Sequence, residues 1–157
     1  MKLGFYTYSY VDRLGMEIEP VLEAVAAAGY EGVDVSATWR DDWDPARMPA
    51  SARGRYVRVA DRLGLEIEAV VTHLGLVGAL QQDLPLNLKG AVDVARDLGA
   101  RMVTVHIGFA DFLIAETGEV WRAAVNYLKD AAAYAGEHRV VVALDGIPSS
   151  YPAYTPG

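Results

Sequence analysis

The sequence predicts an α/β fold, a truncated (β/α)8 TIM barrel with five parallel strands and four helices in one incomplete domain over residues 1–157. Two observations carry this prediction. Four apolar-periodic segments each end in a glycine that precedes a strand-like run, and these glycines are 35, 35 and 37 residues apart: Gly29, Gly64, Gly99 and Gly136. Glycine just past a helix is the usual left-handed cap. Helix and strand alternating at a fixed period indicate stacked βα units.

The elements follow in order along the chain. The predicted strands are short runs rich in β-branched and aromatic residues: Leu3–Tyr8, Gly32–Ser36, Glu66–His73, Arg101–Ile107 and Val140–Asp145. The predicted helices between them are Glu17–Ala28, Ala50–Leu63, Pro85–Leu98 and Gly118–Ala135. In four strands the alternation turns large apolar residues towards a helix layer and small or polar residues inwards, as in a barrel. The third strand fits poorly, because Glu66 and Glu68 fall on its outer face.

Five strands do not close an eight-stranded barrel, which typically needs about 250 residues. We therefore expect either a truncated reading of a longer protein or half of an assembly, completed by a missing C-terminal half-barrel or by a homo-oligomer partner. The edge strands would otherwise stay open to aggregation. An open, doubly wound five-stranded sheet is the alternative architecture, and it would not need the missing half.

Composition limits the class of protein. With 52% hydrophobic and 22% charged residues, the chain is expected to be globular rather than disordered. It contains no cysteine, which excludes disulfides and Cys-based zinc sites. The first residues have the pattern of a strand and not of a signal peptide. No run approaches the roughly 20 apolar residues of a membrane helix. We therefore expect a cytoplasmic location with no membrane partner. The net charge of −7 makes a nucleic-acid partner an unfavoured expectation.

Three candidate metal ligands occupy one structural position in successive units. His73, His106 and Asp145 stand at the C-terminal ends of the third, fourth and fifth predicted strands, the edge where parallel α/β sheets place their chemistry. Neighbouring strands lie about 4.8 Å apart, so their ends can converge on one ion. Two imidazoles and a carboxylate suit Zn²⁺, Mn²⁺ or a similar ion. Hydrogen-bonded histidines at the barrel mouth, or substrate contact without a metal, remain alternatives.

Aromatic side chains are expected to surround the same mouth: Tyr6, Tyr8, Tyr10, Trp39 and Trp43. Aromatic faces pack against the C–H face of a sugar and leave its hydroxyls to polar partners. Ordinary loop and barrel packing is the alternative. Asp34, inward at the end of the second strand, is placed to hydrogen-bond a substrate hydroxyl or to pair with Arg40.

The segments MKLGFYTYSY, AGYEGVDV, THLG, VHIG and VALDG resemble the xylose isomerase-like TIM-barrel superfamily. That group includes sugar phosphate isomerases/epimerases and endonuclease IV-type apurinic endonucleases. The resemblance spans the whole chain but covers five of the family's eight strands. It implies a divalent metal (Zn, Mn, Mg or Co), with His73 and His106 as ligands. It also implies that Asp145, where the family usually has Glu, is a ligand and proton-transfer group; Asp34 likewise stands where Glu is usual.

The resemblance implies a metal-dependent sugar (phosphate) isomerase/epimerase that transfers a proton α to a carbonyl through an enediolate. Asp145 would be the catalytic group, the substrate a small carbohydrate or sugar phosphate, and the substrate-binding residues Tyr6, Tyr8, Asp34 and Trp39. This fragment alone is expected to be inactive. Two alternatives remain. One is metal-dependent phosphodiester hydrolysis of the endonuclease IV type, which the two histidines favour and the acidic charge disfavours. The other is a non-catalytic, truncated or partner-dependent half-barrel.

Overall fold

Five parallel strands form one sheet in the computed structural model, which describes residues 2–11, 14–36, 44–72, 76, 87–106 and 118–145. The strands are β1 (Gly4–Tyr6), β2 (Gly32–Ser36), β3 (Glu66–Thr72), β4 (Met102–His106) and β5 (Val141–Asp145). They lie side by side in the order β1-β2-β3-β4-β5, and every pairing is parallel. The predicted succession of parallel strands is therefore confirmed.

Helices connect the strands as the repeat of capping glycines predicts. They are α1 (Tyr8–Val11), α2 (Ile18–Ala27), α3 (Ala50–Leu63), α4 (Leu88–Leu98) and α5 (Glu119–Glu137). Gly64 and Gly99 cap α3 and α4 with φ angles of 69° and 73°, in the left-handed region that glycine enters without strain. No helix within the described ranges is both long enough and apolar enough to cross a membrane.

The fourth glycine of the repeat does not end its helix. Gly136 lies inside α5, which continues to Glu137, and the chain turns instead at Arg139, where φ is 59°. The prediction that the helix ends at Ala135 was wrong by two residues. Glycine weakens a helix interior but does not forbid it, so a cap assigned from glycine alone can fall within the last turn.

The helices pack on one face of the sheet, and this arrangement excludes the doubly wound alternative. In a doubly wound sheet the strand order reverses at a switch point and helices cover both faces. Here the order never reverses, and each long helix contacts its neighbours in sequence. The buried cluster joins helix residues to one side of the strands, through Val33, Val35, Val70, Val103 and Val105. The other side of the sheet, called the inner face below, faces what would be the lumen of a barrel.

An irregularity in β3 explains why the third strand fitted the barrel pattern poorly. Val33 pairs with Ile67 and the next residue of β2, Asp34, pairs with Ala69, so Glu68 is an extra residue in β3. Such a bulge shifts the inward–outward alternation of side chains by one residue, so the residues before it point to the opposite face from the one that an unbroken strand would give them. Ile67 consequently joins the buried outer cluster, and its predicted inward orientation was wrong. The expectation that Glu68 points outwards was also wrong, because its side chain lies over the inner side of Gly32.

Gly32 makes room for this bulge. A Cβ atom at Gly32 would stand 3.0 Å from Oε1 of Glu68 and 3.2 Å from the carbonyl oxygen of Glu66. Real Cβ atoms rarely come so close, so the absence of a side chain at Gly32 allows Glu68 to lie across β2. The sequence AGYEGVDV thus contains a glycine that fits the close approach of the neighbouring strand.

The first strand is shorter than predicted. It ends at Tyr6, and Tyr8 begins α1, so the assignment of Leu3–Tyr8 as one strand was wrong at both ends. The buried Thr7 ends the strand because its backbone N–H and its hydroxyl both donate to the carbonyl oxygen of Asp34, each at 3.1 Å. Its own carbonyl then accepts the first backbone hydrogen bonds of α1, from Tyr10 and Val11.

Candidate active site

His106 and Asp145 lie side by side at the C-terminal ends of β4 and β5. They are register partners, and Nδ1 of His106 stands 3.2 Å from Oδ2 of Asp145. The imidazole is mostly buried, with 20% of its side chain exposed, whereas the carboxylate is 53% exposed. The pair therefore combines a positioned ring with a carboxylate that an incoming ligand can reach. A protonated imidazole would form an ion pair with this carboxylate.

Small and polar residues lie beneath the pair on the inner face. One row runs across four strands through Ser36, Val71, Thr104 and Ala143, two residues before the His106–Asp145 row. Residues two apart on a strand share a face, so this row and the pair face the same side. Ser36 and Val71 are buried, and Thr104 is half-buried. Side chains of this size leave more room on the inner face than large apolar side chains would.

Two of the predicted site residues, His73 and Trp39, lie outside the described residues, as do Arg40 and Trp43. Across the ranges that the structure does describe, no group of three or more His, Cys, Asp or Glu side chains is arranged to hold a metal ion. The donors that the structure brings together are thus one imidazole and one carboxylate. Nitrogen and oxygen donors of this kind fit part of the ligand set of Zn²⁺ or a similar divalent ion.

The orientation of His106 bears on how such an ion would bind. Nδ1 faces Asp145, so Nε2 is the ring nitrogen on the far side from that carboxylate. Metal-binding histidines commonly turn their other nitrogen towards a carboxylate, which holds the ring in place. Asp145 can therefore orient His106 as well as serve as a ligand itself, as the resemblance implies.

Tyr6 and Tyr8 form one aromatic wall, although they lie in different elements. Their rings stack with centroids 5.9 Å apart and an angle of 14° between the planes. Both side chains are half-buried, and Tyr6 shares a row of the inner face with Asp34. Tyr10 does not join this wall, contrary to expectation. Its ring packs 5.7 Å from that of Phe5, because α1 turns it towards the opposite side.

Asp34 is half-buried, and its surroundings disfavour its charge. Burial raises the pKa of the Asp34 carboxyl above its ordinary value, and the nearby Glu68 carboxylate raises that pKa further. The backbone N–H of Ala69 opposes both effects by hydrogen bonding to the charged form. Asp34 of β2 aligns with Ala69 of β3, which aligns with Met102 of β4. Asp34 therefore lies two strands from β4, at the level of a residue four positions before His106. Its described partners belong to β3 and not to the His106–Asp145 pair.

Glu68 is the inward group that sequence reasoning missed. Strict alternation places it outside, and only the bulge turns it towards Asp34. A signal was present in the sequence: two glutamates at alternate positions would otherwise face the apolar helix layer, which is an unfavourable place for charge. A bulge before Ala69, opposite a glycine, resolves that conflict.

We expect Asp34→Asn to stabilise the fold at neutral pH, because it removes a charge that burial disfavours. The gain should be no more than about 1 kcal/mol, because solvent screens a half-exposed group. A pKa raised by folding means that stability is highest below the unfolded pKa and is lost as pH rises through the folded pKa. Asparagine keeps an acceptor for Ala69 but carries no charge. Urea unfolding at several pH values measures this, with the exposed surface carboxylate in Asp61→Asn as the control. A neutral or destabilising effect at pH 7 would contradict the prediction.

Comparisons with known proteins agree with the fold. No curated protein matches the chain in sequence. Its structure resembles that of L-ribulose 3-epimerase, with a TM-score of 0.68 and 20% identity, covering 95% of this chain and 51% of the other. A D-tagatose 3-epimerase-like protein gives a TM-score of 0.69 and 17% identity, covering 94% and 54%. The IOLI protein with a bound zinc atom gives 0.64 and 15%, covering 94% and 52%.

These similarities show the architecture. The chain spans about half the length of the solved structures it resembles, which agrees with a truncated barrel of five strands. A xylose isomerase-like TIM barrel family model matches residues 22–156, most of the chain, and it agrees with the resemblance seen in the strand-end segments. The chain belongs to the xylose isomerase-like TIM barrel family.

Proposed function

We propose that this chain supplies the β1–β5 part of a divalent-metal-dependent sugar or sugar phosphate isomerase/epimerase. The observation that carries the proposal is the His106–Asp145 pair, 3.2 Å apart at the C-terminal ends of adjacent strands and above a floor of small residues. The family's barrel and the two sugar epimerase-type neighbours support this substrate class. The zinc in a third neighbour supports a divalent ion.

Each residue has a role in this proposal. The Asp145 carboxylate accepts the proton from the carbon next to the substrate carbonyl, and the electrons of that C–H bond form the C=C bond of an enediolate. The same carboxylate returns the proton to the neighbouring, former carbonyl carbon, while the hydroxyl proton of the first carbon passes to the enediolate oxygen, so that the carbonyl forms at the first carbon. His106 and His73 hold the metal or the carbonyl oxygen, and a bound divalent ion supplies Lewis-acid polarisation of that carbonyl.

Substrate recognition falls to the walls of the site. The stacked rings of Tyr6 and Tyr8 offer an apolar face to the C–H face of a sugar. Asp34 is a hydroxyl partner in this proposal, and Trp39 a further wall. The remaining ligands and the second acid–base group come from further βα units, either a C-terminal half-barrel or another copy of the chain. The described part of the chain alone is therefore proposed to be inactive.

We expect His106→Ala to weaken Zn²⁺ or Mn²⁺ binding by about tenfold or more, because it removes one ligand. The loss of stability should be the smaller effect, since the ring already has contact with solvent. Isothermal titration with each metal, alongside urea unfolding, measures the two effects separately. His138→Gln is the matched control, because His138 packs against Tyr134 at a helix end, with ring centroids 4.6 Å apart.

Three outcomes would contradict the proposal. An unchanged metal affinity in His106→Ala, together with a large loss of stability, would mean that His106 packs in the fold and does not bind the metal. Absence of any Zn²⁺ or Mn²⁺ binding by the parent chain would remove the metal site. Turnover of abasic-site DNA but not of ketohexoses, by the chain combined with its completing units, would favour phosphodiester hydrolysis instead.

A further inference from the structure

Two connections that leave the C-terminal edge of the sheet are joined by one pair of side chains. The first connection leads from Ser36, the last residue of β2, to α3, and the second leads from Thr72, the last residue of β3, to α4. Asp44 belongs to the first connection and Asn87 to the second. Nδ2 of Asn87 donates to Oδ1 of Asp44 at 2.8 Å, and both residues are half-buried. This Asp44–Asn87 hydrogen bond ties the two connections together.

Each member of the pair also fixes the backbone next to it. Oδ1 of Asp44 accepts from the Ala46 N–H at 3.1 Å, at the start of the 3₁₀ turn Pro45–Arg47. Oδ1 of Asn87 accepts from the Gly90 N–H at 2.8 Å, and so Asn87 caps the N-terminus of α4. The Asp44–Asn87 hydrogen bond therefore links a turn in one connection to the first turn of the helix that ends the other.

Gly90 makes room for the side chain of Asn87. A Cβ atom at Gly90 would stand 2.6 Å from Nδ2 and 2.9 Å from Oδ1 of Asn87, and contacts this short require one of the groups to move. Glycine is a poor helix former, and alanine at this position would favour an isolated helix. The residue found in the first turn of α4 therefore suits the amide of Asn87 better than it suits the helix.

A second side chain holds the far end of the same turn. The Arg53 guanidinium donates to the carbonyl oxygens of Met48 and Ala46 at 2.9 and 3.1 Å, and it also donates to Asp97 of α4 at 2.6 Å. The turn Asp44–Met48 is thus fixed to α4 at its start by the amide of the second connection and at its end by a guanidinium. With both ends held, the position of this turn follows that of α4.

We propose that Asn87 is a positioning residue of the candidate active site, which acts through Asp44 to hold the two connections in one fixed relation. Trp39 lies in the first connection, and His73 is the first residue of the second. The inference rests on the proposed function for the roles of these two residues, as a substrate wall and a metal ligand. The coupling between the connections depends only on the contacts of Asp44 and Asn87.

Amide hydrogen exchange measured by NMR tests the coupling. Asn87→Asp keeps an acceptor for the Gly90 N–H but removes the donor to Asp44 and brings two carboxylates into contact. The Met48 amide, which donates to the Pro45 carbonyl in the other connection, should then exchange about tenfold faster or more. The double variant Asp44→Asn/Asn87→Asp exchanges donor and acceptor, so it should restore the parent rate to within about threefold.

Gly90→Ala gives an independent test of the same contact. The added methyl group crowds the Asn87 amide, so this variant should also speed exchange at Met48, although alanine favours the helix. Gly54→Ala is the matched control, because a Cβ atom at Gly54 in α3 would meet the flexible end of Arg58 at 3.2 Å. Exchange at Met48 should not become faster in this control.

Titration with Zn²⁺ distinguishes a positioning role from a purely structural one. Asn87→Asp should weaken Zn²⁺ binding by about threefold or more, and the double variant should restore it, while circular dichroism shows that all the chains stay folded. An unchanged Met48 exchange rate in Asn87→Asp, or a double variant that fails to restore it, would overturn the coupling. Equal Zn²⁺ affinities of Asn87→Asp and the parent chain would overturn the positioning role.

Failure of the proposed function gives a different result. A parent chain that binds no Zn²⁺ would remove the metal site, and the positioning role with it, whereas the exchange rates would still decide whether the two connections are coupled.

Discussion

The Leu22→Ala variant is expected to unfold with a free energy about 3 kcal/mol below that of the parent chain. Leu22 has 0% of its surface exposed and is among the largest fully buried side chains. It belongs to the cluster that joins α2 to the outer side of the strands. Truncation removes buried methyl groups and leaves a cavity that the packed helices and strands can only partly fill. Urea unfolding followed by circular dichroism measures the difference.

Leu14→Ala is the matched control for this variant. Leu14 precedes α2 and is 67% exposed, so the same truncation should change the free energy of unfolding by no more than about 0.5 kcal/mol. A loss below about 1 kcal/mol in Leu22→Ala, or equal losses in the two variants, would mean that the layer between the helices and the sheet does not support the fold. The site depends on that layer, since it holds the strands that position His106 and Asp145.

The Arg53→Met variant is expected to lose about 2 to 3 kcal/mol of stability. The Arg53 guanidinium in α3 donates to the carbonyl oxygens of Met48 and Ala46 at 2.9 and 3.1 Å, and to Asp97 of α4 at 2.6 Å. Its side chain is only 15% exposed. Methionine has a comparable apolar stem but no donor, so the carbonyls of Met48 and Ala46 lose their bonds to Arg53 and the Asp97 carboxylate keeps only Arg96. Thermal and urea unfolding measure the loss.

Arg55→Met tests whether burial causes the effect. Arg55 lies in the same helix and pairs with Glu17 at 2.9 Å, but its side chain is well exposed. Exposed ion pairs contribute little, so this variant should differ from the parent by no more than about 0.5 kcal/mol. Equal losses at the two positions would contradict a special role for Arg53 in joining α3 to α4.

The pH dependence gives a second measurement on Arg53. Burial raises the pKa of Asp97, but hydrogen bonds from Arg53 and Arg96 outweigh it, so the pKa of Asp97 lies below its ordinary value. A lowered pKa contributes stability above the unfolded pKa, and that stability is lost as pH falls through the folded pKa. The difference between Arg53→Met and the parent chain should therefore shrink in acid.

Local patterns predicted much of the fold. The observed bounds of β2 and α3 equal the predicted bounds at both ends, because a valine-rich run marks the strand and a glycine cap marks the end of the helix. The same reasoning placed the end of α5 two residues early, since Gly136 continues the helix. It also missed α1, because a one-turn helix held by the buried Thr7 has no periodicity of its own.

The candidate site was predictable in part. The histidine and the aspartate could be placed at strand ends, since runs of apolar residues end at each of them. The two residues are register partners, with 3.2 Å between Nδ1 of His106 and Oδ2 of Asp145. This closeness depends on how β4 aligns with β5, which no local sequence pattern predicts. The stacking of Tyr6 on Tyr8 and the approach of Glu68 to Asp34 likewise depend on a turn and a bulge formed between strands.

The sequence by itself determined the alternation of helices and parallel strands, and the family resemblance, since these follow from periodicity and from glycine's freedom in the left-handed region. Only the tertiary structure decided the order of the strands, the face that the helices cover and the neighbours of each polar group. These depend on pairing between residues about 30 or more positions apart, as in His106 with Asp145. Pairing at such distances is governed by packing of the whole sheet and not by any one segment.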